Sequence, residues 1–402
     1  MGARTATVAL VGAAGLLLAA CGGGGGGGGS AGGSGQPAPP AATAYQGPVG
    51  AGEGKLSVLA WPGYAEDGST SPDANWVGPF EQATGCQVTV KTFATSAEAV
   101  QLFGTGEYDV VSASGDASLR LVYGDRVQPV NTGLVPNYAD VIGDLKDKPW
   151  NTVGGQNYGI PHGRGANLLL YNLSTYPTPP TSWSGMWDPS SPAKGKISPY
   201  DDAIYLADAA VYLMATKPDL GIKNPYALDQ AQFDAALALV QQQKPLVAEY
   251  WADVVKQGQG LASGAVTESQ GWQLTANLAN ADGQKVGTTK PTEGATGWSD
   301  TWMVKKDTPN INCAYLWLNH VVSPEVNAQI AEFFGEAPAN QKSCALTKNK
   351  DHCTQYHAQE TDFWNNVYYW TTPVENCVDG RTDVKCVGYD EWVRAWSTLR
   401  SS

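Results

Sequence analysis

From Lys55 to Ser112 the chain alternates strand-type and helix-type segments, and this order narrows its fold more than any other feature. Lys55 to Trp61 (KLSVLAW) has the apolar alternation of a buried strand and stops at the turn Pro62-Gly63. Trp76 to Thr84 reads as a helix closed by Gly85, and Gln87 to Thr92 as a second strand. Ala97 to Phe103 reads as a second helix, and Tyr108 to Ser112 as a third strand that breaks into Ala113-Ser114-Gly115-Asp116. Strands alternating with helices imply parallel pairing, with helices on both faces of the sheet. Open parallel sheets hold ligands beyond the carboxyl ends of their strands. Trp61 and Ser114 both stand just past such ends, which marks them as candidate binding residues.

Further along, Pro161-His162-Gly163-Arg164 is a glycine-flanked segment suited to crossing between two lobes, and Gly165 to Asn172 follows it as a strand. A short helix is expected after Thr181-Ser182-Trp183, and longer ones over Ala203 to Thr216 and Asp229 to Gln243, where the apolar spacing is helical. Residues 262 to 273 read as a strand-like stretch ending near Trp272, and Trp298 to Val304 as an alternating strand. Cys313 to Val322 and Asn327 to Phe334 read as helices, the second closed by Gly335.

The N-terminus carries a different signal. Arg4, an apolar run from Val8 to Leu18 and small residues leading to Cys21 follow the order of an export leader. The run is too short for a membrane-spanning helix, which needs about 20 apolar residues. Leu18-Ala-Ala-Cys21 looks like a bacterial lipoprotein signal, with residues 1–20 removed and Cys21 lipidated. An ordinary secretory signal is the competing reading. Residues 21–54, rich in Gly, Ser, Pro and Ala, hold too little apolar surface to fold and read as a flexible tether with a reach of roughly 30 Å. The expected place of the protein is therefore the outer face of the cytoplasmic membrane or the periplasm. If Cys21 carries lipid, six of the seven cysteines remain to pair in an oxidising compartment. Two pairings are local, Cys344 with Cys353 and Cys377 with Cys386. Cys86 and Cys313 are left for each other, although six cysteines alone do not dictate it. Cys344, Cys353, His352 and His357 lack the spacing of a zinc site.

With 38 Asp and Glu against 25 Lys and Arg, the net charge is −13, which argues against nucleic acid or anionic lipid as partners and is compatible with a cationic ligand. Catalytic motifs are poorly represented. Ser191-Pro-Ala-Lys194 has the SxxK spacing, but its prolines preclude a helical start and no KTG follows. An exported lipoprotein hydrolase remains a formal alternative without a residue set to carry it. No cofactor is implied.

The order of segments resembles the bacterial spermidine/putrescine-binding proteins, the substrate-capturing subunits of polyamine ABC importers. The resemblance covers about residues 55 to 402. It rests on Trp61-Pro-Gly-Tyr64, Phe80-Glu-Gln-Ala-Thr-Gly85, Tyr108-Asp109, Gly159-Ile-Pro161, Thr181-Ser-Trp183, Asp201-Asp202, Trp298-Ser-Asp300 and Pro338-Ala-Asn340. It implies an α/β, two-lobed periplasmic-binding-protein fold of type II that closes on its ligand about a hinge. Residues 55–162 with 299–344 would form lobe 1, and 163–298 with 345–402 lobe 2. The family's aromatic and acidic contacts carry over to Trp61, Tyr64, Ser114, Asp202, Trp272, Trp298, Asp300 and Asn365. Asp116 stands where an aromatic residue is usual, Tyr205 where a glutamate is usual, and Glu336 where a tyrosine is frequent. The implied partners are a small cationic ligand such as putrescine or spermidine, ABC permease subunits and the membrane through the lipid anchor, with the protein itself a monomer and not an enzyme. A zwitterionic ligand (an opine, a betaine or an aminophosphonate) held by Arg164 is the alternative within the same fold.

Overall fold

The strand–helix alternation is present in the computed structural model, which describes residues 41–281 and 283–402. Strand β1 (Lys55–Ala60) pairs in parallel with β2 (Gln87–Thr92) on one side and β3 (Val110–Ala113) on the other. Helix α1 (Val77–Thr84) joins the first pair, and α2 (Ser96–Phe103) leads to β3. Gly85 ends α1 at φ 74°, a left-handed conformation that a side chain would strain, while Thr95 caps α2 by accepting the Glu98 N–H. Thr301–Lys305 runs antiparallel to β3, returns the chain to this core late in the sequence, and pairs in turn with Val127–Gln128 and Ile160–Pro161.

After β3 the chain enters α3 (Gly115–Tyr123), a helix where the sequence suggested only a break. Gly115 reads as a helix breaker, but here it permits a close approach. A Cβ at this position would lie 1.7 Å from the backbone oxygen of Trp370. The residue is glycine because another part of the chain docks there.

A second sheet is centred on Leu168–Asn172, flanked by Glu268–Gly271 and Val286–Thr289, both antiparallel to it. A third runs in the order Ala337–Pro338, Gly163–Ala166, Ala295–Trp298, Val367–Tyr369. Two strands read as continuous in the sequence are each broken at this third sheet. Gly165 to Asn172 divides at Asn167, and Trp298 to Val304 divides at Ser299-Asp300. Burial continues through both breaks, so the local sequence pattern does not mark the sheet change.

Two large apolar cores result. One gathers residues from Leu56 to Ile160 and from Trp302 to Ala339, and the other residues from Leu169 to Trp298 and from Trp370 to Leu399. All three disulfides form as paired in the sequence, Cys86–Cys313, Cys344–Cys353 and Cys377–Cys386. The leader and Cys21 lie outside the described residues, and no described helix is long and apolar enough to cross a membrane.

The end of the tether departs from expectation. Residues 42–54 are a strap laid on the first core, and not a free coil. Tyr45 packs its ring 5.8 Å from that of Tyr315, and Gly50 N donates to Asn312 Oδ1 at 2.8 Å. The Glu53 carboxylate accepts the backbone N–H groups of Asn312 and Cys313, each at 2.9 Å. It thereby caps the helix Ile311–Val321, whose own N-cap Asn310 makes no side-chain cap. The Tyr45 ring, the partly buried Val49 and the Glu53 carboxylate help seat a segment whose average composition reads as disordered.

Candidate functional site

A cavity of about 440 Å³ lies between residues of the two large cores. From the first core, the chain leaves β1 at Ala60 and turns Trp61 into the wall. The Trp61 backbone N–H donates to Ser112 Oγ at 3.1 Å and its indole N–H to Ser114 Oγ at 3.2 Å, while its ring packs 4.5 Å from Phe93. Both serines sit at or just past the end of β3, so two parallel strand ends fix one indole.

The facing wall belongs to the second core and is almost wholly aromatic. Tyr200 packs against Trp251 at 4.8 Å, Trp251 against Trp272 at 5.2 Å, and Trp272 against Trp298 at 6.1 Å. Trp370 stacks on Tyr200 at 5.9 Å, and Phe334 meets Trp298 edge to face at 5.7 Å. A chain of hydrogen bonds fixes the Trp272 ring. Its indole N–H donates to Asn167 Oδ1 at 2.9 Å, Asn167 Nδ2 donates to Thr296 Oγ1 at 2.7 Å, and Thr296 donates to Asp208 Oδ1 at 2.7 Å. Asp208 is buried, which pushes its carboxyl up to about 7 against the opposing hydrogen bond from Thr296.

Three carboxylates line the cavity, Glu66, Asp253 and Asp300, and no Lys, Arg or His does. Asp253 is exposed and caps the helix Val254–Ser263 by accepting the N–H groups of Val255 and Lys256. Glu66 is half-buried at the mouth. Asp300 is only 3 % exposed. Its Oδ2 accepts from the Tyr64 hydroxyl at 2.9 Å, and its Oδ1 has no hydrogen-bond partner among the described residues. Burial raises the Asp300 carboxyl to about 6; the Ser114 hydroxyl, His162 and Tyr64 oppose the shift and Glu336 adds to it. An anionic oxygen left without a donor inside an aromatic pocket is a place where a cation gains most.

Of the residues singled out from sequence, Trp61, Ser114, Trp272, Trp298 and Asp300 line the cavity. Tyr64 and Glu336 are buried immediately behind Asp300 and do not line it. Asp116 is also buried outside the lining, accepting from Ser96 Oγ at 2.9 Å. Burial and the nearby Asp202 push it up to about 7.

Asp202, Tyr205, Asn365 and Arg164 do not line the cavity. Asp202 caps the short helix that starts at Ala203, accepting the Ile204 N–H at 3.0 Å, and takes a second bond from the Tyr389 hydroxyl. Tyr205 is core, stacked 5.4 Å from Trp187 and hydrogen-bonded by Gln243. Asn365 is exposed, its side chain bonded to Asp362 and its backbone oxygen to Lys290. Arg164 is buried and lines a separate small pocket next to Trp272 and Trp298. Its guanidinium lies 4.0 Å over the Trp364 ring and donates to Ala358 O and the Tyr369 hydroxyl. A ligand anion in the cavity would not meet it.

Tyr200, Trp251, Trp370 and Phe334 were missed. Trp370 follows directly on strand Val367–Tyr369, so the strand-end rule that found Trp61 applies to it once that strand is seen. Tyr200 and Trp251 are brought together by a parallel bridge between two loops, for which no local pattern exists.

Residues 75–357 match the model of a family described as bacterial extracellular solute-binding protein. The chain is 25 % identical over 299 residues to the spermidine/putrescine-binding periplasmic protein of Escherichia coli K12, covering 71 % of this chain and 82 % of that one. It is 22 % identical over 288 residues to the putrescine/agmatine-binding protein of Pseudomonas aeruginosa, covering 67 % of this chain and 76 % of that one. Among solved structures, the Tp0655 lipoprotein of Treponema pallidum shares the fold with a TM-score of 0.66 at 18 % identity, covering 87 % of this chain and all 100 % of that one.

Proposed function

The chain belongs to the bacterial extracellular solute-binding protein family, and on that premise we propose that it captures a polyamine for an ABC importer. One observation carries the ligand class: a tryptophan-walled cavity whose one buried carboxylate, Asp300, keeps one oxygen, Oδ1, without a hydrogen-bond partner, with no basic side chain among the described lining residues. Each ammonium group gives up water on entry and needs an anion or a ring face in exchange. Asp300 supplies the first, and Trp61, Trp272 and Trp298 the second, along the methylene chain. A second amine is met by Glu66 or Asp253 at the mouth. The names of the relatives agree with this class of ligand.

No bond is made or broken in this role. The ligand favours the closed arrangement of two lobes, 55–162 with 299–344 against 163–298 with 345–402, and the closed form is presented to permease subunits. The N-terminal sequence supports lipidation at Cys21, which keeps a monomer near its permease on the outer face of the membrane. A thermal-shift panel tests the ligand class. Putrescine or spermidine at 100 times its dissociation constant adds about 2.7 kcal/mol of stability. Stabilisation by glycine betaine or an opine, with none by either polyamine, overturns the reading.

A further inference from the structure

Behind Asp300 stand three side chains that ligand contact does not use. The Tyr64 hydroxyl lies 2.9 Å from Asp300 Oδ2 and 3.3 Å from Glu336 Oε2. One hydroxyl carries one proton, so it donates to one of these carboxylates at a time, and its contact with the other sets lone pair against lone pair. Asp300 Oδ1 and Glu336 Oε1 have no hydrogen-bond partner among the described residues. His162 brings Nδ1 to 3.2 Å from Glu336 Oε1, though not aligned as a hydrogen bond, and its Nε2 is also unpartnered. Tyr64, His162 and Glu336 are completely buried. Among the described residues no lysine or arginine forms an ion pair with either acid. Two bare carboxylates sharing one hydroxyl in a dry interior repel each other without hydration to offset it. The set is short of one proton.

The four groups also share a place in the fold. His162 lies between Ile160–Pro161 of the first sheet and Gly163–Ala166 of the third, and Asp300 lies between Ala295–Trp298 and Thr301–Lys305. Glu336 directly precedes Ala337–Pro338. The His162 N–H donates to Asp300 O at 3.2 Å, and Ala339 N–H to His162 O at 3.1 Å, so the segments are joined through their backbones as well. From the surrounding elements Asp116 and Tyr200 face Asp300. His352 and Tyr356 approach Glu336.

We propose that Glu336, brought beside Asp300 by the Tyr64 hydroxyl they share, is a positioning residue that keeps a proton on the Asp300 side chain while the cavity is empty, and that an arriving ammonium group expels it. The inference rests on the polyamine reading, since it needs a cation beside Asp300. The ligand's positive charge takes over the screening that the proton supplied, and a second positive charge in the same dry space is then unfavourable. The upward shift of Asp300 to about 6 places the exchange within reach of ordinary pH.

Calorimetry of the full-length chain with spermidine, at about pH 5.5 in buffers of different ionisation enthalpy, tests this directly. The expected result is a binding heat that varies with the buffer and corresponds to release of roughly half to one proton. In Glu336→Gln, which keeps size and hydrogen-bonding capacity, the buffer dependence collapses. If that variant fails to fold, Tyr64→Phe removes the shared hydroxyl instead. It should raise the pH at which spermidine affinity is half lost. Heat that is the same in every buffer overturns the proposal and leaves the polyamine reading standing. No heat with spermidine or putrescine overturns that reading, and the proposal with it.

Discussion

In the proposed role, Asp300 combines two demands that conflict in water and agree in this cavity: it must be buried enough to bind strongly and charged once the ligand is beside it. Removing its charge by Asp300→Asn should weaken polyamine binding by about 2–5 kcal/mol, read by calorimetry, with the fold retained. Buried acids also set the pH dependence of stability. The carboxyls of Asp116 and Asp208 are raised to about 7 and that of Asp300 to about 6, above their unfolded values near 3.9. The folded state therefore holds protons that the unfolded state has released. The stability these groups contribute is fully present below about pH 4 and is lost as pH rises through 6 to 7. The ligand-free protein should melt at a lower Tm at pH 8 than at pH 5.5, and Asp208→Asn should reduce that difference. Asp300 and Trp298 were legible in sequence through the Trp298-Ser-Asp300 stretch that carries the family resemblance, Trp298 standing also near a strand end. Asp202 was not separable from a binding acid, because an acid that caps a helix and one that holds a ligand look alike until the Ile204 N–H is seen to occupy it.

Among the elements, α3 carries the least legible feature. Its N-terminus meets the other half of the molecule through Thr372, whose N–H and hydroxyl both bond to Gly115 O, with the hydroxyl also near Asp116 O. Gly115→Ala puts a methyl group against the Trp370 carbonyl and costs about 1–3 kcal/mol of overpacking. That cost falls on the contact between halves, so ligand affinity should drop about 5- to 150-fold. Small-angle scattering of the ligand-bound variant should show a larger radius of gyration than wild type. Local periodicity finds β1, β2, α1 and α2 nearly to the residue, because each packs on its sequence neighbours. It cannot show where a strand changes sheets, as at Asn167 and Ser299-Asp300, since the residues stay buried while their partners change.

At the scale of the molecule, the first core is assembled from two chain segments separated by the stretch from Leu169 to Trp298 that builds most of the second. The Cys86–Cys313 bridge spans 227 residues and ties α1–β2 to the helix Ile311–Val321, across that separation. Replacing both cysteines by alanine should cost about 2–5 kcal/mol, measured by denaturant melting under oxidising conditions. Composition made the cysteines a disulfide set, but only the fold could select this partner for Cys86. The strap at residues 42–54 adds a further restraint. A chain beginning at Lys55 loses the Glu53 cap and should be about 0.5–2 kcal/mol less stable than one beginning at Ala41. Among the described residues, every hydrogen bond from the strap to the rest of the molecule goes to segments of the first core. A pull on the N-terminus is thus borne by one half alone. With the lipidation proposed at Cys21, the mooring would load one leaf of the hinge and leave the other to swing without working against the line that holds it.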